Sequence, residues 1–195
     1  MNLPNQLTVG RMILSFLFVW ALSSGSKFGN CAALGLFIAA SVTDYLDGAI
    51  ARKRNLITDF GKLMDPLADK VMMAAALIML VPKGALPAWA AILIISREFL
   101  ITGLRSLAAT KGVVLQADNL GKHKTAWQIA MVLYFLILLA LQECEAAGWF
   151  TLAGLHTVAW HRVGPFLTAA VLLITLYSGL GYVRRNWRLI LSHQL

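Results

Sequence analysis

The sequence predicts an all-α integral membrane protein with six transmembrane helices and both termini in the cytoplasm. Three observations lead to this prediction: an apolar composition, six apolar segments and an uneven distribution of Lys and Arg. Of the 195 residues, 59% are hydrophobic and 13% are charged, and the mean hydropathy is +0.72. Soluble domains contain about 25% charged residues. The chain length predicts one transmembrane domain over residues 1–195.

Six apolar segments approach the length of about 20 residues that a membrane-spanning helix needs. Turn-forming stretches such as "SSGSK" and "PKGALP" separate them. The first segment also has the basic start and apolar centre of a signal peptide, but a retained helix is the simpler interpretation in a chain with several further spans. The predicted spans are Leu7–Leu22, Phe28–Ala51, Lys62–Val81, Leu86–Ala109, Thr125–Leu141 and Val163–Tyr182.

The basic residues predict the orientation, because cytoplasmic loops are enriched in Lys and Arg. One lies near the N-terminus, and others concentrate after the second span, around the junction of the fourth and fifth, and after the sixth. Both termini are therefore predicted to be cytoplasmic, which requires an even number of spans. In such a chain the net charge of +8 indicates membrane lipids with anionic headgroups as partners, and no nucleic acid.

The cysteines and the predicted external segment suggest no site. Cys31 and Cys144 provide neither a disulfide framework nor the spacing of metal ligands. The segment from Gln142 to Val163 has no role that the sequence reveals. We interpret His156 and His161 in this segment as exposed loop residues rather than metal ligands.

Four aspartates interrupt the apolar pattern where the second span ends and the third begins. Asp44 and Asp47 lie about 60° apart around a helix, since each residue turns the helix by about 100°. Asp65 and Asp69 are four residues apart and share one helix face. A charge within a membrane helix costs about 3 kcal/mol or more, so such residues are candidates for function. The distribution of basic residues places all four at the cytoplasmic end.

Four neighbouring carboxylates repel one another unless cations or protons neutralise them. Hard oxygen ligands suit Mg²⁺ or Mn²⁺, and two such ions form the usual clamp for displacement at phosphorus. The alternative is ion pairing within the bundle, with Arg52, Lys62 and Lys70 as partners. A divalent-cation transporter and a non-catalytic scaffold stabilised by metal are two further alternatives.

The aspartates belong to a longer pattern, D-x2-D-G-x2-A-R-x8-G-x3-D-x3-D, which the chain reproduces without a gap. This pattern resembles the signature of the CDP-alcohol phosphotransferases. The resemblance covers most of the chain and implies a bundle of six spans that forms a homodimer. The matching residues are Asp44, Asp47, Gly48, Ala51, Arg52, Gly61, Asp65 and Asp69.

The resemblance also implies a reaction. Enzymes of this family break the pyrophosphate of a CDP-linked substrate, transfer the phospho-alkyl part to an alcohol and release CMP. By this similarity, two Mg²⁺ or Mn²⁺ ions are held by Asp44, Asp47, Asp65 and Asp69, and Asp69 is also the catalytic base. The CDP group is expected at Asp44, Asp47, Gly48, Ala51, Arg52 and Gly61.

Basic residues of the fourth and fifth spans predict the kind of acceptor. Arg and Lys are the usual ligands of phosphate groups, so a phosphorylated acceptor is expected to bind Arg105, Lys122 and Lys124. Arg97 is a further candidate, although it can equally pair with its neighbour Glu98 for structural reasons.

These stretches, together with the opening "NLPNQLTVGR", resemble the bacterial branch of the family that joins CDP-diacylglycerol to glycerol 3-phosphate. The resemblance implies a multi-pass protein of the bacterial inner membrane with its active site facing the cytoplasm. Inositol phosphate, serine and phosphatidylglycerol remain alternative acceptors.

Overall fold

The structure is a computed structural model that describes residues 3–54, 59–110, 119–151 and 154–191. Side chains are described for residues 9–43, 67–68, 70–109, 124–151, 154 and 156–187. Within the described ranges the chain is helical and contains no β-strand, which confirms the predicted all-α class.

Six of the described helices have between 21 and 28 residues, and each overlaps one predicted span. A short helix and a π-helical turn precede the last of them. The elements are α1 (Leu3–Ser23), α2 (Gly29–Arg54), α3 (Asp59–Leu80), α4 (Ala88–Thr110), α5 (Asn119–Ala146), α6 (Leu155–Val158), the π turn Ala159–Val163 and α7 (Gly164–Leu191).

Among the residues whose side chains the structure describes, two apolar stretches are long enough by length and composition to cross a membrane. They are Lys124–Ala146 and His156–Trp187, each with a hydropathy of 1.8. Among the described side chains, shorter apolar stretches are Gly29–Thr43 on α2 and Lys70–Leu80 on α3. An all-helical chain with two long apolar helices is consistent with a membrane protein.

Apolar side chains lie both inside and outside the bundle. Helix α1 packs on α2 and α3, α5 packs on α2 and α7, and α4 packs on α7 and α3. The rings of Phe18 and Phe37 are buried with their centroids 6.0 Å apart. By contrast, Leu173, Tyr177 and Leu180 on α7 are largely exposed. An apolar outer surface of this kind suits contact with lipid.

The segment from Gln142 to Val163 differs from the predicted loop, because its described residues are largely helical. Helix α5 continues to Ala146, and the chain turns helical again at Leu155. His156 stacks on Trp160 with ring centroids 5.5 Å apart, and Trp160 in turn packs edge-on against Phe135. Aromatic packing on the bundle explains this difference. The interpretation of His156 as an exposed loop residue was therefore wrong.

The N-terminus of α2 is fixed to α5 by one carboxylate. Glu143 accepts two hydrogen bonds from backbone N–H groups: Oε1 accepts from Asn30 at 3.1 Å, and Oε2 accepts from Cys31 at 2.9 Å. These donors have no partner within their own helix. A negative charge at this position is also stabilised by the positive end of the helix dipole. The contact brings the free thiols of Cys31 and Cys144 within 3.8 Å of each other.

We predict that oxidation of native membranes with copper phenanthroline joins Cys31 to Cys144 within one chain. Rotation of either side chain shortens the 3.8 Å separation of the sulfur atoms toward the about 2 Å of a disulfide bond. Mass spectrometry of non-reduced peptides should recover the linked pair, and Cys31→Ser should abolish it. Recovery of both cysteines unlinked after oxidation would contradict the packing of α2 on α5.

Candidate active site

The four aspartates lie on α2 and α3, which are joined by the short connection 55–58 and therefore form an antiparallel pair. Asp44 lies ten residues before the end of α2, and Asp69 lies ten residues after the start of α3. Asp47 and Asp65 lie seven and six residues from the same ends. Measured along its own helix, each aspartate therefore lies about 10 to 15 Å from the end that leads to the connection.

The side chains of the whole family signature lie outside the described side chains. These residues are Asp44, Asp47, Gly48, Ala51, Arg52, Gly61, Asp65 and Asp69. Among the side chains that the structure does describe, no group of three His, Cys, Asp or Glu could hold a metal ion. The predicted roles of the signature residues therefore stay predictions.

A group of charged side chains includes Lys70, the residue that follows Asp69 on α3. Its centre is the carboxylate of Glu98 on α4. Lys124 of α5 donates to Glu98 Oε1, and Arg97 Nη1 donates to the same oxygen at 3.3 Å. Lys70 of α3 places its Nζ atom 3.8 Å from Glu98 Oε2. One carboxylate thus joins cations from three helices, and we call these four residues the Glu98 cluster.

Arg97 connects the Glu98 cluster to α7. Its Nη2 atom donates to Ser178 Oγ at 2.6 Å. The arginine side chain also passes very close to Gly179, where an added Cβ would lie 3.1 Å from Arg97 Cγ and Nε. A side chain at position 179 would therefore press against the arginine. These contacts make Arg97 a link between α4 and α7.

A cavity of about 230 Å³ lies between the Glu98 cluster and the apolar core. Ser41, one helical turn before Asp44, lines it from α2. Lys70, directly after Asp69, lines it from α3 together with Glu98 from α4. The cavity therefore adjoins the charged cluster, and two of its lining residues are close in sequence to Asp44 and Asp69. Its polar wall also includes Arg11, Thr125 and Gln128.

The structure brings only some of the predicted acceptor residues together. Arg97 and Lys124 meet at the carboxylate of Glu98. Lys124 is only 2% exposed and lies behind Glu98, so it does not line the cavity. Arg105 is exposed and lies eight residues further along α4, about 12 Å from Arg97 along the helix axis. The side chain of Lys122 lies outside the described residues.

Sequence reasoning missed two members of this site as functional candidates. Glu98 was considered only as a partner of Arg97, and Lys70 only as a partner of the aspartates. The structure instead pairs Lys70 with Glu98. A signal was present, because a carboxylate in an apolar helix needs a cationic partner. The identity of that partner could not be read from helices that are distant in sequence.

The donor set of the hairpin fits a hard divalent cation. It consists of four carboxylates, and the hard cations Mg²⁺ and Mn²⁺ prefer such oxygen ligands. Lys70, the described cation next to Asp69, already faces Glu98. This leaves the carboxylates of the hairpin to be balanced by other positive charges.

Comparison with known proteins shows the family of the chain. Residues 1–177 match the family model described as CDP-alcohol phosphatidyltransferase. The chain is 39% identical to the CDP-diacylglycerol–glycerol-3-phosphate 3-phosphatidyltransferase of Bacillus subtilis, with 95% of each chain covered. It is 33% identical to the protein of that name from Rickettsia bellii, with 94% of each covered. A cardiolipin synthase (CMP-forming) of Oryza sativa is 34% identical, with 98% of this chain and 59% of the relative covered. The chain belongs to the CDP-alcohol phosphatidyltransferase family.

Proposed function

We propose that this enzyme transfers the phosphatidyl group of CDP-diacylglycerol to glycerol 3-phosphate, giving phosphatidylglycerophosphate and CMP. The observation that carries the proposal is the similarity, over 95% of both chains, to a relative named for this reaction. A charged cluster that includes Lys70, the residue after Asp69 in the chain, supports it, because a phosphorylated acceptor needs cations close to the reacting centre.

The signature residues supply the reactive groups in this proposal. Asp69 takes the proton of the acceptor hydroxyl, whose oxygen forms a new bond to the phosphatidyl phosphorus. The bond between that phosphorus and the CMP oxygen breaks, and CMP leaves with the electron pair. Arg52 is suited to hold a phosphate of the CDP group, since its guanidinium can donate two parallel hydrogen bonds. The other expected residues at the CDP group are Asp44, Asp47, Gly48, Ala51 and Gly61.

Asp44, Asp47, Asp65 and Asp69 would hold two Mg²⁺ or Mn²⁺ ions. Such ions neutralise the pyrophosphate and stabilise the charge that develops on the leaving CMP. The carboxylates are suited to this role by their chemistry and by their similar distances from the connection between the two helices.

Other acceptors are the main alternatives within the family. Inositol phosphate would also need cations, whereas serine or phosphatidylglycerol would not need a site for a phosphate monoester. One relative is named a cardiolipin synthase (CMP-forming), and this similarity supports cardiolipin synthesis as an alternative function. The transporter alternative is disfavoured, because α2 and α3 are continuous helices at the aspartates, and transporters bind ions at broken helices.

We further propose six membrane spans in the bacterial inner membrane, with the active site and both termini on the cytoplasmic side. The six long helices and their basic ends support this arrangement. A homodimer is proposed through α3 and α4, whose small residues suit close packing. Labelling of an introduced cysteine at Lys27 or Arg184 in intact cells tests the orientation. A monomeric mass of the active enzyme in mild detergent would contradict the dimer.

The first functional prediction concerns the reaction. Purified enzyme in detergent with Mg²⁺ and CDP-diacylglycerol should release CMP fastest with glycerol 3-phosphate among a panel of acceptors. The panel contains inositol phosphate, serine, glycerol and phosphatidylglycerol, and the lipid product is identified by mass spectrometry. A chelator should stop the release, and added Mg²⁺ or Mn²⁺ should restore it. Faster release with another acceptor would overturn the proposed function.

The test variant for this assay is Asp65→Asn, and its matched control is Glu143→Gln. Asp65→Asn should lose nearly all turnover while the protein still inserts, because an amide is a weaker ligand for a hard cation than a carboxylate. Glu143→Gln alters a carboxylate at the other end of the bundle and should retain turnover. Full activity of chelated enzyme, or of Asp65→Asn, would contradict the metal-dependent mechanism.

The second functional prediction concerns the basic residues that the sequence predicts for the acceptor phosphate: Arg105, Lys122, Lys124 and Arg97. Of these, Arg97 and Lys124 bind Glu98, so we propose that they act through that carboxylate. Lys124→Met should raise KM for glycerol 3-phosphate by about one to two decades, because it removes the hydrogen bond to the charged Glu98, and such a bond contributes about 1.5–3 kcal/mol. Arg105→Ala should raise the same constant. KM for CDP-diacylglycerol should change little in both variants.

Lys83→Met is the control for these basic residues, because Lys83 lies in the turn between α3 and α4, outside the charged cluster. It should leave both Michaelis constants unchanged. If Lys124→Met or Arg105→Ala weakens the lipid substrate alone, the residues have been assigned to the wrong substrate.

A further inference from the structure

The cavity wall contains an ion pair that the proposed reaction does not yet use. Lys70 and Glu98 both line the cavity, and Lys70 Nζ lies 3.8 Å from Glu98 Oε2. Their side chains are each 19% exposed, so both charges are accessible to a small molecule in the cavity. Lys70 directly follows Asp69, the proposed base. The cation is therefore attached to the helix that carries the reactive carboxylate.

The other carboxylate oxygen of Glu98, Oε1, accepts hydrogen bonds from two cations. Lys124, whose side chain is only 3% exposed, donates to Glu98 Oε1. Arg97 donates to the same oxygen and is itself held by Ser178. Because two cations bind Oε1, the carboxylate cannot rotate freely, and Oε2 stays directed toward Lys70. The contacts form a chain from buried Lys124 through Glu98 to Lys70 in the cavity.

The charge of the cluster fits an anionic ligand. Lys70, Arg97 and Lys124 contribute three positive charges and Glu98 one negative charge, which leaves two positive charges. A phosphate monoester carries nearly two negative charges at neutral pH. In the cavity wall itself, Lys70 is the cation of the cluster that a ligand can reach directly.

We propose that Lys70 binds the phosphate of the acceptor and that Glu98 is the positioning residue that directs Lys70 into the cavity. Lys124 then acts through Glu98 rather than by contact with the acceptor. This inference rests on the proposed function and names a cation of its acceptor site. The arrangement places the acceptor beside Asp69, because Lys70 is its neighbour in the chain.

The test compares Lys70→Met and Glu98→Gln by steady-state kinetics with glycerol 3-phosphate and CDP-diacylglycerol. Each variant should raise KM for glycerol 3-phosphate about tenfold, which corresponds to about 1.4 kcal/mol. KM for CDP-diacylglycerol should stay within about twofold of the wild-type value. Lys70→Met should also reduce the preference for glycerol 3-phosphate over glycerol, because glycerol has no phosphate to bind. Lys70→Arg retains the charge and should recover part of the loss.

The double variant separates positioning from independent binding. If Glu98 acts through Lys70, Glu98→Gln should add less than about a twofold increase of KM in the Lys70→Met background. If the increase of KM in the double variant equals the product of the two single increases, the two side chains act separately, and the positioning role is overturned. A fall in kcat for Lys70→Met with KM unchanged would show that Lys70 supports Asp69 instead, and would overturn the inference.

Two further results complete the test. If Glu98→Gln fails to accumulate, Glu98→Asp takes its place, because it retains the charge but shortens the side chain. Glu98→Asp should raise KM for glycerol 3-phosphate about threefold. An unchanged KM overturns the positioning role. If the wild-type enzyme prefers an acceptor without phosphate, the proposed function and this inference both fail. If the wild type uses glycerol 3-phosphate and Lys70→Met leaves its KM unchanged, the inference alone fails.

Discussion

The arrangement of the polar end of the bundle depends on the carboxylate of Glu98. A charge removed from water is costly unless it is paired and hydrogen-bonded. Glu98 meets this requirement by contacting Lys70, Arg97 and Lys124, and Arg97 extends the contact to Ser178. Four helices that are far apart in sequence, α3, α4, α5 and α7, thereby meet at one group. Removing one partner from such a cluster leaves the remaining charges unbalanced, so each helix position depends on the others.

The two ends of the bundle differ in polarity, and the Glu98 cluster lies at the polar end. At the other end, Phe18 and Phe37 pack within an apolar core, and Glu143 fixes the start of α2 on α5. Close packing of this kind favours a single rigid arrangement. The cavity lies between that core and the charged end. A rigid apolar support beneath a polar cavity keeps reactive groups at constant distances, which catalysis by orientation requires.

The α2–α3 hairpin shows why acidic residues and membrane helices can coexist in one segment. In α2 the apolar residues 29–43 precede the aspartates, and in α3 the apolar residues 70–80 follow them. Because the two helices are antiparallel, the acids of both fall at the same end. A lipid substrate has a similar division, with apolar chains and a charged headgroup. The hairpin therefore suits a headgroup at the acidic end, with acyl chains alongside the apolar residues.

The sequence by itself determined the helical class, the order of six long helices and the family signature from Asp44 to Asp69, because these follow from local composition and spacing. It also indicated Arg97 and Lys124 as candidate ligands of an acceptor phosphate. Only the tertiary structure decided that Lys124 lies buried behind Glu98, that Lys70 faces the cavity and that Cys31 meets Cys144. The physical reason is that ion pairs between helices depend on rotation and register across the bundle. Helical periodicity gives the face of each residue on its own helix, but the packing of the core decides which faces meet.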